Sequence, residues 1–367
     1  MKKLKVYVYA ICKNESKYIE DYIESMKEAD GIFVLDTGST DNTVEKLKQY
    51  DDVFVKQEII EPFRFDVARN KSLEMVPLDA DICVCTDFDE VFESGWREKL
   101  ETVWLREQPS RVEYLYHWSF DSYGNPATTF YMSKIHKRNV YTWYHPVHEI
   151  LKCLAEEEKS VIVEGMILNH HQDITKKRSS YLPLLEMSVK EDPEDDRNMH
   201  YLGREYMYYK RWNDAIDTLI RHLHLKRSTW KDERAASMRF IARSYMGLHR
   251  MFEAKCWFWK AIEEAPYLRE GYVELASIYY EEENYEKAYE YLKKASEIKE
   301  KAKTYINEDF CWNYYFYDLY SVVAYYLGYI KEAIENVRIA HRLNPLDKRI
   351  LENLLLMEKD MKKPEND

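Results

Sequence analysis

Two carboxylates, Asp87 and Asp89, stand one residue apart directly after the short apolar run ADICVC. On an extended strand such side chains point to opposite faces, but a turn just past the strand end can aim both at one point. Like charges brought together in this way are stabilised by a cation between them. Mg²⁺ and Mn²⁺ prefer oxygen ligands and commonly keep positions open for phosphate. The pair therefore predicts a divalent metal site, and the alternative is a solvated loop in which Asp87 caps the following turn.

Such a site must be positioned at the edge of a sheet. Up to about residue 170, short apolar runs alternate with helical patterns in the sequence. Alternation of this kind favours an α/β fold with an open, mostly parallel sheet. The patterns predict strands at residues 4–11, 31–35, 53–57, 82–86 and 112–119, and helices at 16–27 and 42–49.

Polar residues follow three of the predicted strand ends. Asn14 and Glu15 follow the first strand, Asp36 follows the second, and Asp87 and Asp89 follow the fourth. In open α/β sheets, ligands bind beyond the carboxyl ends of the strands. These side chains are therefore expected to line one crevice.

Helical patterns replace the strands after about residue 174, and they repeat. Ala254 and Ala288 stand in the similar contexts EAKCWFWKA and KAYEYLKKA, 34 residues apart (288 − 254). This is the period of the tetratricopeptide repeat, a helix–turn–helix unit. Ala215, with Gly203 before it, and Ala333 fall in the same slots of two further units, at offsets of 39 (254 − 215) and 45 (333 − 288). Stacked helix pairs with irregular linkers are expected, with small residues where the helices approach each other.

The change of pattern divides the chain into parts. We expect an α/β domain at residues 1–173, a connecting helix at 174–195 and tetratricopeptide-like helical repeats at 196–367.

Composition excludes several classes of protein. A formal net charge of −12 argues against binding to nucleic acid, because neutralising phosphates needs an excess of clustered Lys and Arg. The six cysteines are scattered without a CxxC pair, which indicates a reducing compartment. The sequence contains no run of about 18 apolar residues, so no membrane span is predicted. The start, MKKLKVYVYAICKNE, is interpreted as a first strand, and a cytoplasmic protein is expected.

Four segments, in this order, resemble segments of family 2 glycosyltransferases, which have the GT-A fold. The last one is similar to the V-H-E segment of a subgroup that carries C-terminal tetratricopeptide repeats and includes the sublancin-type S-glycosyltransferases. Some members of that subgroup glycosylate peptides, and others act on sugar acceptors. The segments are VLDTGSTDNT (34–43), FRFDVARNKSLE (63–74), the DFD pair at the position of the DxD motif, and RNVYTWYHPVHEIL (138–151).

The resemblance implies a nucleotide site. Asp36 would accept hydrogen bonds from a uracil-type base, and Asn14 and Glu15 would line the base and ribose. Arg69 would face the diphosphate, and Asp66 would orient it or meet the base. The alternatives are turn and cap chemistry in DTGSTDNT and an ordinary surface charge on the helix.

The resemblance also implies a metal centre. Asp87 would contact ribose or metal-bound water, and Asp89 would ligate Mn²⁺ or Mg²⁺ directly. His170 aligns with a histidine that completes the metal or diphosphate shell. His171 departs from the residue usual in the family, so which of the two histidines serves stays open.

Catalysis would fall to the V-H-E segment. Glu149 is the candidate general base, and His148 is a second candidate base or an acceptor contact. Arg138 and the basic cluster Lys176, Lys177 and Arg178 could hold phosphate, and a solvated helix face is the alternative for the cluster.

These roles predict a metal-dependent, inverting hexosyltransferase. UDP-glucose, UDP-N-acetylglucosamine and UDP-galactose remain open as donors, and so does a GDP donor. The acceptor would be a peptide or protein recognised by the aromatic-rich repeats, or a glycan or lipid-linked glycan, and the repeats could instead mediate a homodimer. The rivals are a non-catalytic adaptor with a degenerate transferase fold, and a nucleotidyltransferase, whose Gly-rich phosphate loop has no counterpart in Cys12-Lys-Asn-Glu-Ser16.

Overall fold

The computed structural model describes residues 3–121, 124–173 and 181–362. It divides into two compact units, one of Met1–Glu191 with Lys303–Tyr305 and one of Asp192–Ala302 with Ile306–Asp367. Of the predicted connecting helix, Tyr181–Glu191 is helical (α5), whereas residues 174–180, with the basic cluster Lys176, Lys177 and Arg178, lie outside the described residues.

An eight-stranded sheet forms the centre of the first unit within the described residues, in the order β3-β2-β1-β4-β7-β6-β10-β5. Two further strands, β8 and β9, pair with each other in a small second sheet. The strands are β1 (Val6–Cys12), β2 (Ile32–Asp36), β3 (Val53–Gln57), β4 (Ile82–Cys85), β5 (Glu90–Phe92), β6 (Arg111–Phe120), β7 (Pro126–Lys137), β8 (Tyr141–Tyr144), β9 (Ile150–Cys153) and β10 (Ser160–His170).

Strands β1 to β4 run parallel, as do β6 and β10, while β7 is antiparallel to both of its neighbours, β4 and β6. Residues of β2 and β4 are all buried, which explains why these strands are continuous apolar runs in the sequence. The carboxyl ends of β1, β2, β4, β6 and β10 consequently share one edge of the sheet, and the predicted α/β fold class with a mostly parallel sheet is confirmed.

Helices pack on the sheet and close the core of the first unit. Two clusters of buried side chains lie between strands and helices, one around Val8, Val84 and Trp96 and one around Tyr9, Leu73 and Trp143. The helices are α1 (Ile19–Met26), α2 (Thr43–Leu47), α3 (Phe65–Met75), α4 (Trp96–Glu107) and α5 (Tyr181–Glu191).

The second unit is entirely helical over its described residues, apart from connecting turns. Four consecutive helix pairs are followed by a last helix, as the helical-repeat prediction requires. The helices are α6 (Asp196–Tyr208), α7 (Trp212–His224), α8 (Lys231–Gly247), α9 (Met251–Glu264), α10 (Glu270–Glu281), α11 (Tyr285–Glu297), α12 (Tyr314–Tyr326), α13 (Ile330–Leu343) and α14 (Lys348–Met361).

Small residues lie where the paired helices meet. Ala215, Ala254, Ala288 and Ala333 are fully buried at equivalent positions of α7, α9, α11 and α13. A Cβ atom on Gly203 would overlap the side chain of Leu219, so the α6–α7 pair needs glycine at that position. The offset of 45 residues before the last repeat arises from the connection between α11 and α12, which contains a 3₁₀ turn at Asp309–Cys311.

Candidate active site at the carboxyl edge of the sheet

Asp36 ends β2, and its carboxylate is fully buried in the loop that follows. It accepts hydrogen bonds from the backbone N–H groups of Gly38 and Ser39 at 3.2 and 3.1 Å, and from the Ser39 hydroxyl. Burial opposes ionisation, but the bonds from Ser39 and Gly38 outweigh it, so the pKa of Asp36 lies below its usual value. The observed role of Asp36 is to order the loop of residues 37–41, and direct contact with a base stays a prediction.

Asn14 ties the first loop to the second. Its backbone is in the left-handed region (φ 59°), and its side-chain oxygen accepts from the backbone N–H groups of Thr40 and Asp41 at 2.7 and 3.3 Å. The backbone N–H of Glu15 donates to the Thr43 hydroxyl at 2.9 Å. The loops that the sequence assigns to the nucleotide therefore support each other at the ends of β1 and β2.

Arg69, on α3, is 4% exposed and lies at the centre of a charged cluster. One terminal nitrogen donates to both carboxylate oxygens of Asp87 at 2.9 and 3.2 Å, and Nε donates to Glu149. Burial alone would lower the pKa of Arg69, but the charges around it, that of Asp87 first, raise it well above its usual value. The fold thus brings together three predicted site residues from α3, the end of β4 and the β8–β9 connection.

Lys134, on β7, is a member of this cluster that the sequence did not predict. Its ammonium group donates to Asp87 at 3.0 Å and to the buried Glu90 at 2.8 Å. Glu90 also accepts from the Tyr116 hydroxyl at 2.8 Å and from the Asp87 backbone N–H at 2.8 Å. Burial raises the pKa of Asp87, but the charges of Arg69 and Lys134 lower it by more, so this pKa lies well below its usual value. Alternating charges therefore hold the turn that carries the acidic pair.

Replacing Lys134 by Met is expected to destabilise the first unit by about 3 kcal/mol, because it leaves the buried Glu90 carboxylate without a cationic partner and Asp87 with Arg69 alone. The matched control is Lys137→Met, which removes an exposed lysine from the same strand. Differential scanning calorimetry of the full chain should show a transition several degrees lower for K134M than for K137M. Equal midpoints in the two variants would mean that Lys134 does not hold the cluster together.

A series of hydrogen-bonded side chains fixes the indole ring of Trp143, over which the Arg69 guanidinium lies. The Arg69 guanidinium is 5.1 Å from the ring centre of Trp143, whose indole N–H donates to the Tyr9 oxygen at 2.8 Å. The Tyr9 hydroxyl is 2.7 Å from His136 Nε2, and His136 Nδ1 is 3.0 Å from the carbonyl of Lys137. A carbonyl only accepts, so Nδ1 carries the proton and Nε2 accepts from Tyr9. Burial lowers the pKa of His136 to about 4.

The buried, uncharged His136 at the end of these hydrogen bonds predicts that the first unit loses stability in mild acid. The unfolded chain protonates His136 near pH 6.5, so between that value and the folded pKa of about 4 the unfolded state binds more protons. Stability from this group is complete above about pH 6.5 and falls by about 2 kcal/mol at pH 5. Urea denaturation above pH 6.5 and at pH 5 should show a smaller loss of unfolding free energy in His136→Gln than in wild type. The exposed His224→Gln is the control and should lose as much as wild type. An NMR titration in which His136 charges near pH 6.5 would contradict this account.

Asp89 and His170 face each other at the same sheet edge. His170 ends β10, where it pairs with Glu90 of β5, and its Nε2 lies 3.4 Å from Asp89 Oδ2. His170 Nδ1 is 3.0 Å from the Trp118 carbonyl and must be the donor, which aims Nε2 at Asp89. Burial lowers the pKa of His170, but Asp89 raises it more, with a net increase. His171 instead gives its backbone N–H to the Asp89 carbonyl at 2.7 Å, so the geometry favours His170 as the partner of Asp89.

The chemistry of this pair fits a divalent cation. A histidine that donates one ring N–H to a carbonyl presents its other nitrogen to a metal, and a carboxylate beside it supplies a hard oxygen. No group of three or more His, Cys, Asp or Glu suited to a metal occurs in the part of the chain that the structure describes. Two protein ligands leave most of the coordination sphere to water and phosphate, as is usual for Mg²⁺ at phosphate sites.

Three other predicted residues lie outside this cluster. Asp66, in the first turn of α3, is buried and accepts two hydrogen bonds from Arg64 at 3.0 and 2.9 Å. His148 adopts φ 49° beside Glu149, with its ring 5.8 Å from that of Tyr181. The placement of Arg138 is a correction: its guanidinium donates to the Val76 carbonyl at 3.1 Å, at the end of α3. Because β7 is antiparallel to β4, Arg138 lies at the amino edge of the sheet and is not positioned to hold phosphate.

Comparison with known proteins agrees with this arrangement for the first unit. The sequence profile described as Glycosyl transferase family 2 matches residues 7–163. No curated protein matches the chain significantly.

Solved structures match the helical part at low identity. The pilF protein of Pseudomonas aeruginosa has 16% identity and a TM-score of 0.38, with 48% of this chain and 72% of that chain covered. YrrB, described as a TPR protein with an unusual peptide-binding site, has 16% identity and a TM-score of 0.39, with 49% and 85% covered. A thermophilic TPR protein of Thermus thermophilus has 17% identity and a TM-score of 0.35, with 49% and 90% covered.

The loops at the ends of β1 and β2, the acidic pair after β4 and the V-H-E segment all fall within or beside the matched range. The match over residues 7–163 identifies a glycosyl transferase family 2 domain in the first unit, whose sheet is GT-A-like, and tetratricopeptide-like helical repeats follow that domain.

Proposed function

We propose that this protein is a metal-dependent hexosyltransferase that moves a sugar from a UDP-sugar to a peptide, protein or saccharide acceptor in the cytoplasm. The observation that carries the proposal is the juxtaposition of Asp89 with His170 beside the Arg69 cluster, at one edge of the sheet. The family 2 match over residues 7–163 supports a nucleotide-sugar donor. No helix in the described ranges is long and apolar enough to cross a membrane.

The donor would lie along the carboxyl edge from β2 to β10. The loops of Asn14, Glu15 and Asp36 would receive the nucleoside, with Asp36 acting through the loop that it orders. Asp89 and His170 would hold Mn²⁺ or Mg²⁺, which when bound would neutralise charge on the departing nucleoside diphosphate. Arg69 and Lys134 add two fixed positive charges behind the acidic pair.

Glu149 would act as the general base. It would take the proton from an acceptor hydroxyl or thiol while that atom bonds to the anomeric carbon and the bond from the sugar to the diphosphate breaks. Arg69 fixes the position of its carboxylate, and His148 beside it would contact the acceptor. One candidate carboxylate base, rather than two carboxylates flanking the reacting bond, supports an inverting displacement, so NMR of the first-formed product should show the anomeric configuration opposite to that of the donor. Retention would exclude the single displacement.

Calorimetric titration of the full chain tests the donor class. UDP, GDP, CMP and dTDP are titrated separately, with and without Mn²⁺. We expect UDP to bind in a metal-dependent manner and the other nucleotides to bind more weakly. Tight binding of GDP would keep the transferase and change the donor. If no nucleotide bound under any condition, the enzyme proposal would fail and the adaptor hypothesis would replace it.

The helical repeats are the second part of the proposal. Stacked helix pairs offer a surface suited to an extended peptide or to another copy of the chain. Analytical ultracentrifugation separates these roles: a concentration-independent monomer would leave acceptor recognition as the proposed role, and a dimer would favour assembly.

A further inference from the structure

Asn70 follows Arg69 on α3, and its side chain is bound to the backbone of β8. Its Nδ2 donates to the Trp143 carbonyl at 2.9 Å, and its Oδ1 accepts from the Trp143 backbone N–H at 2.8 Å. The same oxygen accepts from the Thr142 hydroxyl at 3.1 Å. Because a backbone N–H only donates and a carbonyl only accepts, these partners fix the orientation of the amide. One side chain thus satisfies both polar backbone groups of a strand residue.

This contact docks an edge of the small second sheet. Within the described residues β8 pairs with β9 alone, and Trp143 stands opposite Leu151. The outer edge of such a strand presents backbone N–H and C=O groups that lack a strand partner. At Trp143 the amide of Asn70 takes the place of a neighbouring strand. The bonds therefore determine where the β8–β9 hairpin (residues 141–153) lies along α3.

The connection between the two strands of this hairpin has an unusual backbone. His145 and His148 have φ values of 82° and 49°, in the left-handed region that residues with bulky side chains rarely adopt. Conformations of this kind persist where the surrounding structure enforces them, and they cluster at active sites. The connection ends at Glu149, the proposed general base, directly before β9. Contacts from outside the hairpin must therefore hold the residues that lead to the base.

Helix α3 holds the hairpin at three points: on the strand, on the connection and on the base. The contacts are Asn70 to Trp143, the backbone N–H of Phe65 to the Pro146 carbonyl at 2.9 Å, and Arg69 Nε to Glu149. Because Arg69 and Asn70 are consecutive, a shift of β8 along α3 would move Glu149 relative to the guanidinium that orients it. The docking of the strand and the position of the base are thus one geometric property.

We propose that Asn70 is a positioning residue for the transfer reaction. By docking β8 on α3 it places the Glu149 carboxylate against Arg69, where that carboxylate would take the proton of the acceptor. The inference rests on the proposed function, because it requires Glu149 to be the base. The amide of Asn70 is bound to Trp143 and Thr142, so its effect passes through the hairpin. A displacement of about 1 Å at a reacting group can lower a rate by about 10²-fold.

Kinetics of UDP release from the preferred UDP-sugar, with water as acceptor, test this role. The variants are Asn70→Ala, which removes all three bonds, and Thr142→Val, which removes one of them and keeps the shape of the side chain. The control is Glu74→Ala, an exposed change on the same helix. Asn70→Ala is also combined with Glu149→Gln. UDP affinity and the thermal midpoint are measured on each protein, and rates are compared well below the lowest midpoint.

We expect kcat to fall about 10²-fold in N70A and less in T142V, while UDP affinity stays within about threefold of wild type. E74A should behave as wild type. Because Asn70 acts through Glu149, N70A should cause no further loss of kcat in a chain that already carries E149Q. Wild-type kcat in N70A, or an equal loss in both backgrounds, would overturn the proposal. A loss confined to UDP affinity would also overturn it, since Asn70 would then serve the donor site.

Hydrogen–deuterium exchange with mass spectrometry gives a second readout that needs no activity. Peptides that cover residues 141–153 should exchange faster in N70A than in wild type, with no such change in E74A. Equal exchange in N70A and wild type would overturn docking by Asn70. If wild type released no UDP, the transferase proposal would fail and the base assigned to Glu149 with it, whereas faster exchange in N70A would still show that Asn70 docks the hairpin.

Discussion

Asp89→Ala is expected to abolish metal-dependent binding of UDP. Asp89 and His170 are the two facing groups that fit a divalent cation, and alanine removes the hard oxygen ligand. Loss of an outer-shell partner alone typically costs roughly 10–100-fold in metal affinity, so loss of a ligand should cost at least that much. Calorimetry should show UDP affinity in D89A with Mn²⁺ equal to that of wild type without Mn²⁺.

Two further variants make this test specific to the pair. The exposed Asp51→Ala removes the same charge elsewhere in the unit and should bind as wild type. His170→Ala should reproduce the loss, because its Nε2 faces Asp89. His171→Ala should retain metal dependence, because that residue meets Asp89 through its backbone N–H. Full metal dependence in D89A would remove the proposed metal centre.

Glu149→Gln is expected to lower turnover by about 10²–10⁴-fold while donor affinity stays within about threefold of wild type. Glutamine keeps the size of the side chain and an oxygen that accepts from Arg69, but it cannot take a proton. The loss should therefore appear in kcat and leave binding of the nucleotide unchanged. Release of UDP from the preferred UDP-sugar, with water as acceptor, provides an assay before the natural acceptor is known.

Two further variants, at Glu157 and His148, show whether the loss of turnover is specific to Glu149. Glu157→Gln, an exposed change on the same unit, should have wild-type turnover. His148→Ala should reduce affinity for the acceptor more than turnover, because its proposed role is contact. Wild-type turnover in E149Q together with a large loss in H148A would transfer the role of base to His148.

Local sequence patterns determined much of the architecture. Apolar runs that alternate with helical patterns predicted β2 and β4 because every residue of these two strands is buried, which leaves little room for polar side chains. The spacing from Ala254 to Ala288 predicted the repeats because helix pairs can approach only where a side chain is small. Both signals depend on contacts that recur at regular intervals along the chain.

The tertiary structure decided which charges meet. Lys134 has no spacing that marks it, since its importance comes from the antiparallel pairing of β7 with β4, which carries it to Asp87. The same pairing moves Arg138 to the opposite edge, although it is the first residue of the segment 138–151 that contains V-H-E. Trp118, whose carbonyl accepts from His170, likewise gains its position from a bulge in β6 that only strand register defines. Residue types and motifs thus determined the kind of chemistry, while strand direction and register determined which side chains share the site, because pairing joins residues that are far apart in the chain.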